Sequence, residues 1–333
     1  MSDLEAERLR IYALQDGAIR AQALTFALTA GIFDYLSPGP ASFERLSTDL
    51  GISPRVLPAL MAFLVSNRLI DVTPDGYTNT PATSAFLVRN SSTFVGGRSL
   101  LFAGFYDAIK HLPEALRSGE PWTPEGQHDM FAGFTAEQRQ WFADGMSANA
   151  ARGAFILLEH VDFGGFRSLL DVGGSTGGYA IPIARRASDI EISILDLPAL
   201  RELAQARIAD AGLTGRVAFR PGSFFEPISG TYDCVLLSSI LHDWDDSDCA
   251  RILDRCHTVL KAGGTIVVTE PMLAEDFSGP DHPAASGLTM ALLGGQNRTR
   301  SQIREMLEAS GFNEVWMSDL LPQNSIVTGR RIP

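Results

Sequence analysis

Leu169-Leu170-Asp171-Val172-Gly173-Gly174-Ser175-Thr176-Gly177-Gly178 reads as a buried strand, a glycine-rich turn and the start of a helix. Glycines in such a turn let a nucleotide-like ligand lie directly on backbone, close to a helix N-terminus. The next strand ends on Asp196, 25 residues after Asp171. An acid at that place is set to hold the two hydroxyls of a ribose. The stretch therefore predicts an adenosine-containing ligand.

Outward from this turn, strand and helix alternate to the end of the chain. Candidate strands are 168–172, 191–196, 216–220, 232–237, 264–270, 313–318 and 325–329. That alternation predicts an α/β fold, a doubly wound and mostly parallel sheet covered on both faces. Before it, residues 9–36 carry apolar positions at helical spacing, Ile19, Ala23, Phe26, Ala27 and Ala30 among them. A short helix from Phe43 ends on Gly51. Ser53-Pro54 is read as the start of another helix, with Ser53 as N-cap. Residues 69–72 and 77–80 flank the turn Thr73-Pro74-Asp75-Gly76 as a β-hairpin. Helices followed by a hairpin make a winged-helix pattern. Residues 91–160 read as helical and rich in aromatics. The expected division is a winged-helix domain over 1–90, a helical linker and pocket region over 91–160, and a Rossmann-like domain over 161–333.

Length and composition narrow the function. The 333 residues are 45% hydrophobic and 20% charged, enough for a sizeable core and about two domains. A net charge of −12 repels phosphate backbones and anionic membranes, so nucleic acid and membrane are disfavoured partners. Residues 12–90 hold five basic against six acidic side chains, a poor footprint for a DNA-reading wing. The three cysteines include no CxxC pair and suit a reducing cytoplasm. The first residues are charged, which gives no sign of a secretory leader, and no apolar run is long enough to span a bilayer.

Which adenosine ligand binds is decided at two positions. A dinucleotide turn counted from Gly173 needs glycine at 175, where Ser175 stands. Asp171 places a carboxylate beside the loop, which would repel a pyrophosphate and suit a cation. S-adenosylmethionine (SAM) carries a sulfonium, an ammonium and a ribose without phosphate, and is the predicted cofactor. Capping of the next helix is the plainer role for Asp171.

A second motif, Ser238-Ser239-Ile240-Leu241-His242-Asp243-Trp244, follows the strand 232–237. It brings a histidine to the carboxyl end of the sheet, where open α/β sheets hold ligands. A neutral imidazole there can accept the proton of a phenol as a methyl group arrives, so His242 is the candidate general base. Asp243, Asp245, Asp246 and Asp248 could be read as metal ligands. They directly precede a helix over 249–260, whose dipole favours acids, and no metal site is expected.

Together these residues resemble the SAM-dependent small-molecule O-methyltransferases, of the plant caffeate/flavonoid type and their bacterial relatives in aromatic antibiotic biosynthesis. Leu195-Asp196-Leu197-Pro198, Gly222-Ser223-Phe224-Phe225, Gly263 to Glu270 and Gly294-Gly295-Gln296-Asn297-Arg298-Thr299 extend the likeness over nearly the whole chain. The resemblance implies that Gly173 lies under the cofactor, Asp196 holds its ribose, Ser223 and Phe224 flank the adenine, and Ser238 lies near the methionine part. Asp171, Gly174 and Leu197 are assigned to the same site. It implies His242 as base, with Glu270 and Asn297 orienting the imidazole. Phe142, Met146 and Met290 match acceptor-pocket positions, and Asp243 and Leu293 are placed beside them. Phe131, Phe134 and Trp141 offer further flat walls for an aromatic acceptor. The family forms homodimers through the N-terminal domain, whose first helix enters the partner's pocket, so Arg10 is a candidate anchor for an acceptor carboxylate. Two positions depart from the family: Ser223 stands where Asp is frequent, and Asn297 where Glu is frequent. C- or N-methylation, a diverged SAM-binding relative, a ligand-sensing winged-helix regulator and a nicotinamide dehydrogenase are the alternatives.

Overall fold

The computed structural model describes residues 3–91, 93–103, 106–122, 150 and 152–332, with only the backbone of 3 and 101–103. Two compact units emerge: residues 1–106 with 135–149, and residues 107–134 with 150–333.

In the first unit the apolar run over 9–36 is three helices, Asp3–Gln15, Gly17–Thr29 and Ile32–Tyr35. Asp16 separates the first two, and Gly31, at φ +74°, turns the chain between the last two. Helix Phe43–Asp49 is capped by Ser42, whose side chain accepts from the Arg45 N–H. The Ser53 cap is corrected. The Ser53 carbonyl accepts from both Val56 and Leu57 in a turn, and the helix runs Leu57–Ser66. A second proline, Pro58, accounts for the later start, since proline fits a first helical turn and lacks the N–H an interior position needs. Strands β1 (Ile70–Thr73) and β2 (Gly76–Asn79) pair antiparallel as the hairpin. Leu28, Ile32, Phe33, Leu46, Leu57, Met61, Leu64 and Ile70 form its core. Of the region read as helical, helix Gly97–Ala103 falls in this unit, while Leu112–Ser118 and all but the first residue of Tyr106–Ile109 fall in the second.

The second unit is built on a seven-stranded sheet. Its strands are β3 (Ser168–Val172), β4 (Glu191–Asp196), β5 (Val217–Pro221), β6 (Tyr232–Ser238), β7 (Leu260–Glu270), β8 (Phe312–Met317) and β9 (Ser325–Arg331). Their order is β5-β4-β3-β6-β7-β9-β8. The first five are mutually parallel, and β9 runs antiparallel to both β7 and β8. Two apolar layers cover the sheet. Leu170, Val172, Val235 and Leu237 point to one, and Leu169, Ile192, Cys234 and Leu236 to the other. Buried faces on both sides explain why these strands read as continuous apolar runs. Strand order reverses between β3 and β6, so the loops after these two strands diverge and leave a crevice at the carboxyl edge.

Candidate functional site

The loop after β3 forms one side of that crevice. Gly173 sits at φ +68°, and a Cβ there would fall 2.2 Å from Ile240 Cδ1 and 3.7 Å from Phe224. A Cβ on Gly174 would fall 2.4 Å from Asp171 Oδ2. Only glycine lets the loop fold this closely over the acid. Asp171 is fully buried, and neither carboxylate oxygen has a hydrogen-bond partner. Burial, then the neighbouring Asp196 charge, push its pKa up to about 7, opposed by the Ala180 amide at the start of the next helix. Asp171 thus lies beneath the glycine loop.

Asp196 closes the loop from the other side. Its Oδ2 accepts from the Ser175 N–H and its Oδ1 from the Leu197 N–H, both at 2.7 Å. Each carboxylate oxygen keeps a free lone pair, the complement of two vicinal hydroxyls. Ser175 occupies φ +51°, a left-handed conformation stabilised by this bond. Leu197 is exposed beside it. Phe224 packs against Phe225 and edge-on to Trp244, and forms an aromatic wall next to Gly173. The Ser223 hydroxyl accepts from the Phe225 N–H, and Ser238 is buried at the end of β6. An orphaned buried carboxylate, a side-chain-free cradle and a ribose-type acid fit a cationic adenosine ligand.

The second side is the turn Leu241–Asp243 after β6. His242 is 9% exposed. Its Nδ1 lies 3.3 Å from Asn297 Oδ1 and its Nε2 lies 3.5 Å from Asp243 Oδ1. Glu270, at the end of the adjacent β7, is fully buried with neither oxygen hydrogen-bonded. Burial raises its pKa, and the nearby His242 and Arg298 act against that. Of the two residues assigned to orient the imidazole, Asn297 lies at hydrogen-bond distance and Glu270 makes no side-chain hydrogen bond.

The sequence reading missed what holds this turn. Arg298 is 1% exposed and among the largest fully buried side chains. It donates to the carbonyls of Leu241 (2.9 Å) and Trp244 (3.0 Å) and to Asp246 (2.7 Å). Gln296 N–H donates to the His242 carbonyl at 2.9 Å. Gly295 packs so closely that a Cβ would lie 2.1 Å from that same carbonyl oxygen. Arg298 was legible only as a member of the Gly294–Thr299 run. A buried arginine is not distinguishable there from an exposed one. Asp245, among the acids weighed as ligands, caps the helix Asp246–Val259 by accepting from the Asp248 N–H.

Met290 is half-buried on the helix Asp281–Leu293, and Leu293 packs against the buried cluster of Ala108, Ala115 and Leu292. Arg10, in the first unit, is exposed and ion-paired with Glu7 at 2.9 Å. Phe131, Phe134, Trp141, Phe142 and Met146 lie outside the described residues.

Strand order, switch-point crevice and glycine cradle define the class I SAM-dependent methyltransferase fold. The description of an O-methyltransferase domain matches residues 126–313, and that of an O-methyltransferase dimerisation domain matches 12–89. The 3-hydroxy-5-methyl-1-naphthoate 3-O-methyltransferase of Streptomyces sahachiroi is 33% identical over 307 residues, 91% of this chain and 88% of its own. The N,N-dimethyltransferase OxyT of Streptomyces rimosus is 29% identical, over 88% of this chain and 87% of its own. Human N-acetylserotonin methyltransferase, solved in complex with SAM, superposes with a TM-score of 0.91 over 100% of both chains at 25% identity. The chain belongs to the SAM-dependent O-methyltransferase family, and its cofactor is SAM.

Proposed function

We propose that the chain methylates a phenolic hydroxyl of an aromatic secondary metabolite, with His242 as general base. The observation that carries this is a buried imidazole at the strand-order switch, across the crevice from the Asp171–Asp196 cradle. Bound SAM supplies an electrophilic methyl group on sulfur. The chain's part is to hold the acceptor in line and take its proton. A phenol near pKa 10 needs help at neutral pH, and an unprotonated His242 nitrogen provides it. In this reading Asp196 holds the ribose hydroxyls, Gly173 and Gly174 admit the cofactor, and Phe224 and Ser223 border its base. Asp171, Leu197 and Ser238 complete that site. Asp243, Met290 and Leu293 are assigned to the acceptor side. The naphthoate relative's name makes an aromatic hydroxy acid the first acceptor class to assay, with Arg10 as candidate carboxylate anchor.

His242→Ala should leave calorimetric affinity for S-adenosylhomocysteine intact and lower kcat about 100-fold or more, the usual size of a general-base contribution. Equal turnover by the variant across pH 6–10 would remove His242 as base. N-methylation is the second reading, favoured by the name of the OxyT relative. Product NMR with methyl-labelled SAM separates O–CH3 from N–CH3. The proposal includes a homodimer through a module over 1–90, a pocket region over 91–160 and a catalytic domain over 161–333. It also includes a cytoplasmic setting, supported by three buried free cysteines. No described helix is long and apolar enough to cross a membrane.

A further inference from the structure

The helix Asp281–Leu293, which carries Met290 and Leu293, is pinned at both ends by other segments. Its N-cap, Pro280, offers no side-chain bond, and the Asn297 side chain instead donates to the Pro283 carbonyl and to Ser286, at 2.6 Å each. At the far end, the last carbonyls of a helix need donors from outside it. Gly294 and Gly295 both donate to the Met290 carbonyl, and the Trp122 N–H donates to the Leu292 carbonyl at 2.8 Å. The helix Leu112–Ser118 starts after His111, whose side chain makes no cap, and stops on Gly119 at φ +76°. The chain then returns Trp122 to His111, and the two rings stack with centroids 5.6 Å apart at 19°. Ala108, Ala115 and Leu292 are buried there, with Trp122 and Leu293 packed against them. Pro121 lies against Gly294, 3.4 Å from where a Cβ would stand.

The helix Asp281–Leu293 therefore packs against Leu112–Ser118 and also against the turn Leu241–Asp243. Its link to that turn is tight. Gly295 comes two residues after the helix, and a Cβ there would lie 2.1 Å from the His242 carbonyl oxygen. A shift of the helix end is carried to the turn by backbone contact alone. We propose that Trp122, stacked on His111 and bonded to the end of this helix, is a positioning residue for the acceptor: it fixes where Met290 and Leu293 stand relative to His242, and with them the acceptor that fits. The inference rests on this helix forming the acceptor side. A tryptophan suits the task, since its large flat ring covers much apolar surface with only two torsions to freeze.

Methionine labelled with 13C at its methyl group reports the helix through Met290, with the Met290→Leu spectrum assigning the signal and the fully buried Met272 as control. Trp122→Ala should move the Met290 signal, leave Met272 in place and leave calorimetric affinity for S-adenosylhomocysteine unchanged. Trp122→Phe should restore most of the Met290 position. His111→Ala removes the stack and keeps the N–H bond, so it should move the same signal by less, and it serves where Trp122→Ala fails to fold. With whichever hydroxybenzoate or hydroxynaphthoate the wild type methylates, Trp122→Ala should raise acceptor KM about tenfold, the scale of a misfitted apolar contact. An unmoved Met290 signal in both variants, or a moved signal beside an unchanged acceptor KM, overturns the proposal. Met290→Ala with an unchanged acceptor KM would instead remove the helix from the acceptor side, and the reading beneath the proposal with it. Where the wild type methylates none of these probes, the Met290 signal decides alone.

Discussion

Asp171 shows at the scale of one residue how a binding site strains the protein that carries it. Its carboxyl is buried without a partner, and its pKa rises from 3.8 to about 7. A carboxyl whose pKa rises on folding favours the folded state while protonated. That contribution is complete below about pH 4 and is lost as pH rises through about 7. At about 1.4 kcal/mol per unit, full ionisation costs the ligand-free protein roughly 4 kcal/mol. Asp171→Asn removes this dependence. The Tm difference, wild type minus variant, should therefore fall between pH 5 and pH 8 in thermal scans without SAM. A difference that holds constant over that range would mean the carboxyl titrates normally. Asp171 was legible as an acid beside the turn, but its burial was not, because burial depends on Gly174 folding over it.

Among elements, the segment Gly294–Thr299 decides where the base sits. Arg298 ties the carbonyls of Leu241 and Trp244, Gln296 that of His242, and Gly295 leaves no room between the two backbones. Arg298→Met leaves those two carbonyls without the guanidinium and should lower stability by about 3 kcal/mol, measured by urea denaturation. Gly295→Ala should lower kcat at least tenfold with little change in S-adenosylhomocysteine affinity, because its Cβ must push the His242 turn aside. Equal loss of both would place the damage in the whole sheet edge. The sequence made the sheet readable, because fully buried parallel strands appear as apolar runs bounded by glycines. Five of its strands lie within a residue of expectation, and β9 begins where expected but runs two residues further. Strand β7 starts at Leu260, four residues early, since Lys261-Ala262-Gly263 looks like a turn and is paired only through its neighbours. The partners of the Asn297 amide were not readable. Ser286 stands 11 residues before it on the helix Asp281–Leu293, while Asn297 lies in the loop that follows, and only the fold brings the two together.

For the whole molecule, the two units divide the work. The second holds every described residue of the cofactor cradle and of the His242 cluster. The first matches a dimerisation domain and exposes Leu4, Leu14, Ile19 and Phe26 on its opening helices. Apolar surface of that kind marks an interaction face. Leu14 is 71% and Ile19 70% exposed, so replacing both with Asp should leave the fold intact. Light scattering should then show a monomer where wild type elutes as a dimer, and turnover should fall while S-adenosylhomocysteine affinity holds. A dimeric double variant would move the interface elsewhere.

The Asp196 clasp has one more consequence. By holding the Ser175 and Leu197 amides at once, it orders the glycine loop before any ligand arrives. The conformational entropy of that loop is lost when the chain folds, so the incoming ligand finds a preorganised seat. Capture should then resemble lock-and-key association, with rapid on-rates and a dissociation constant set by how fast the spent cofactor leaves.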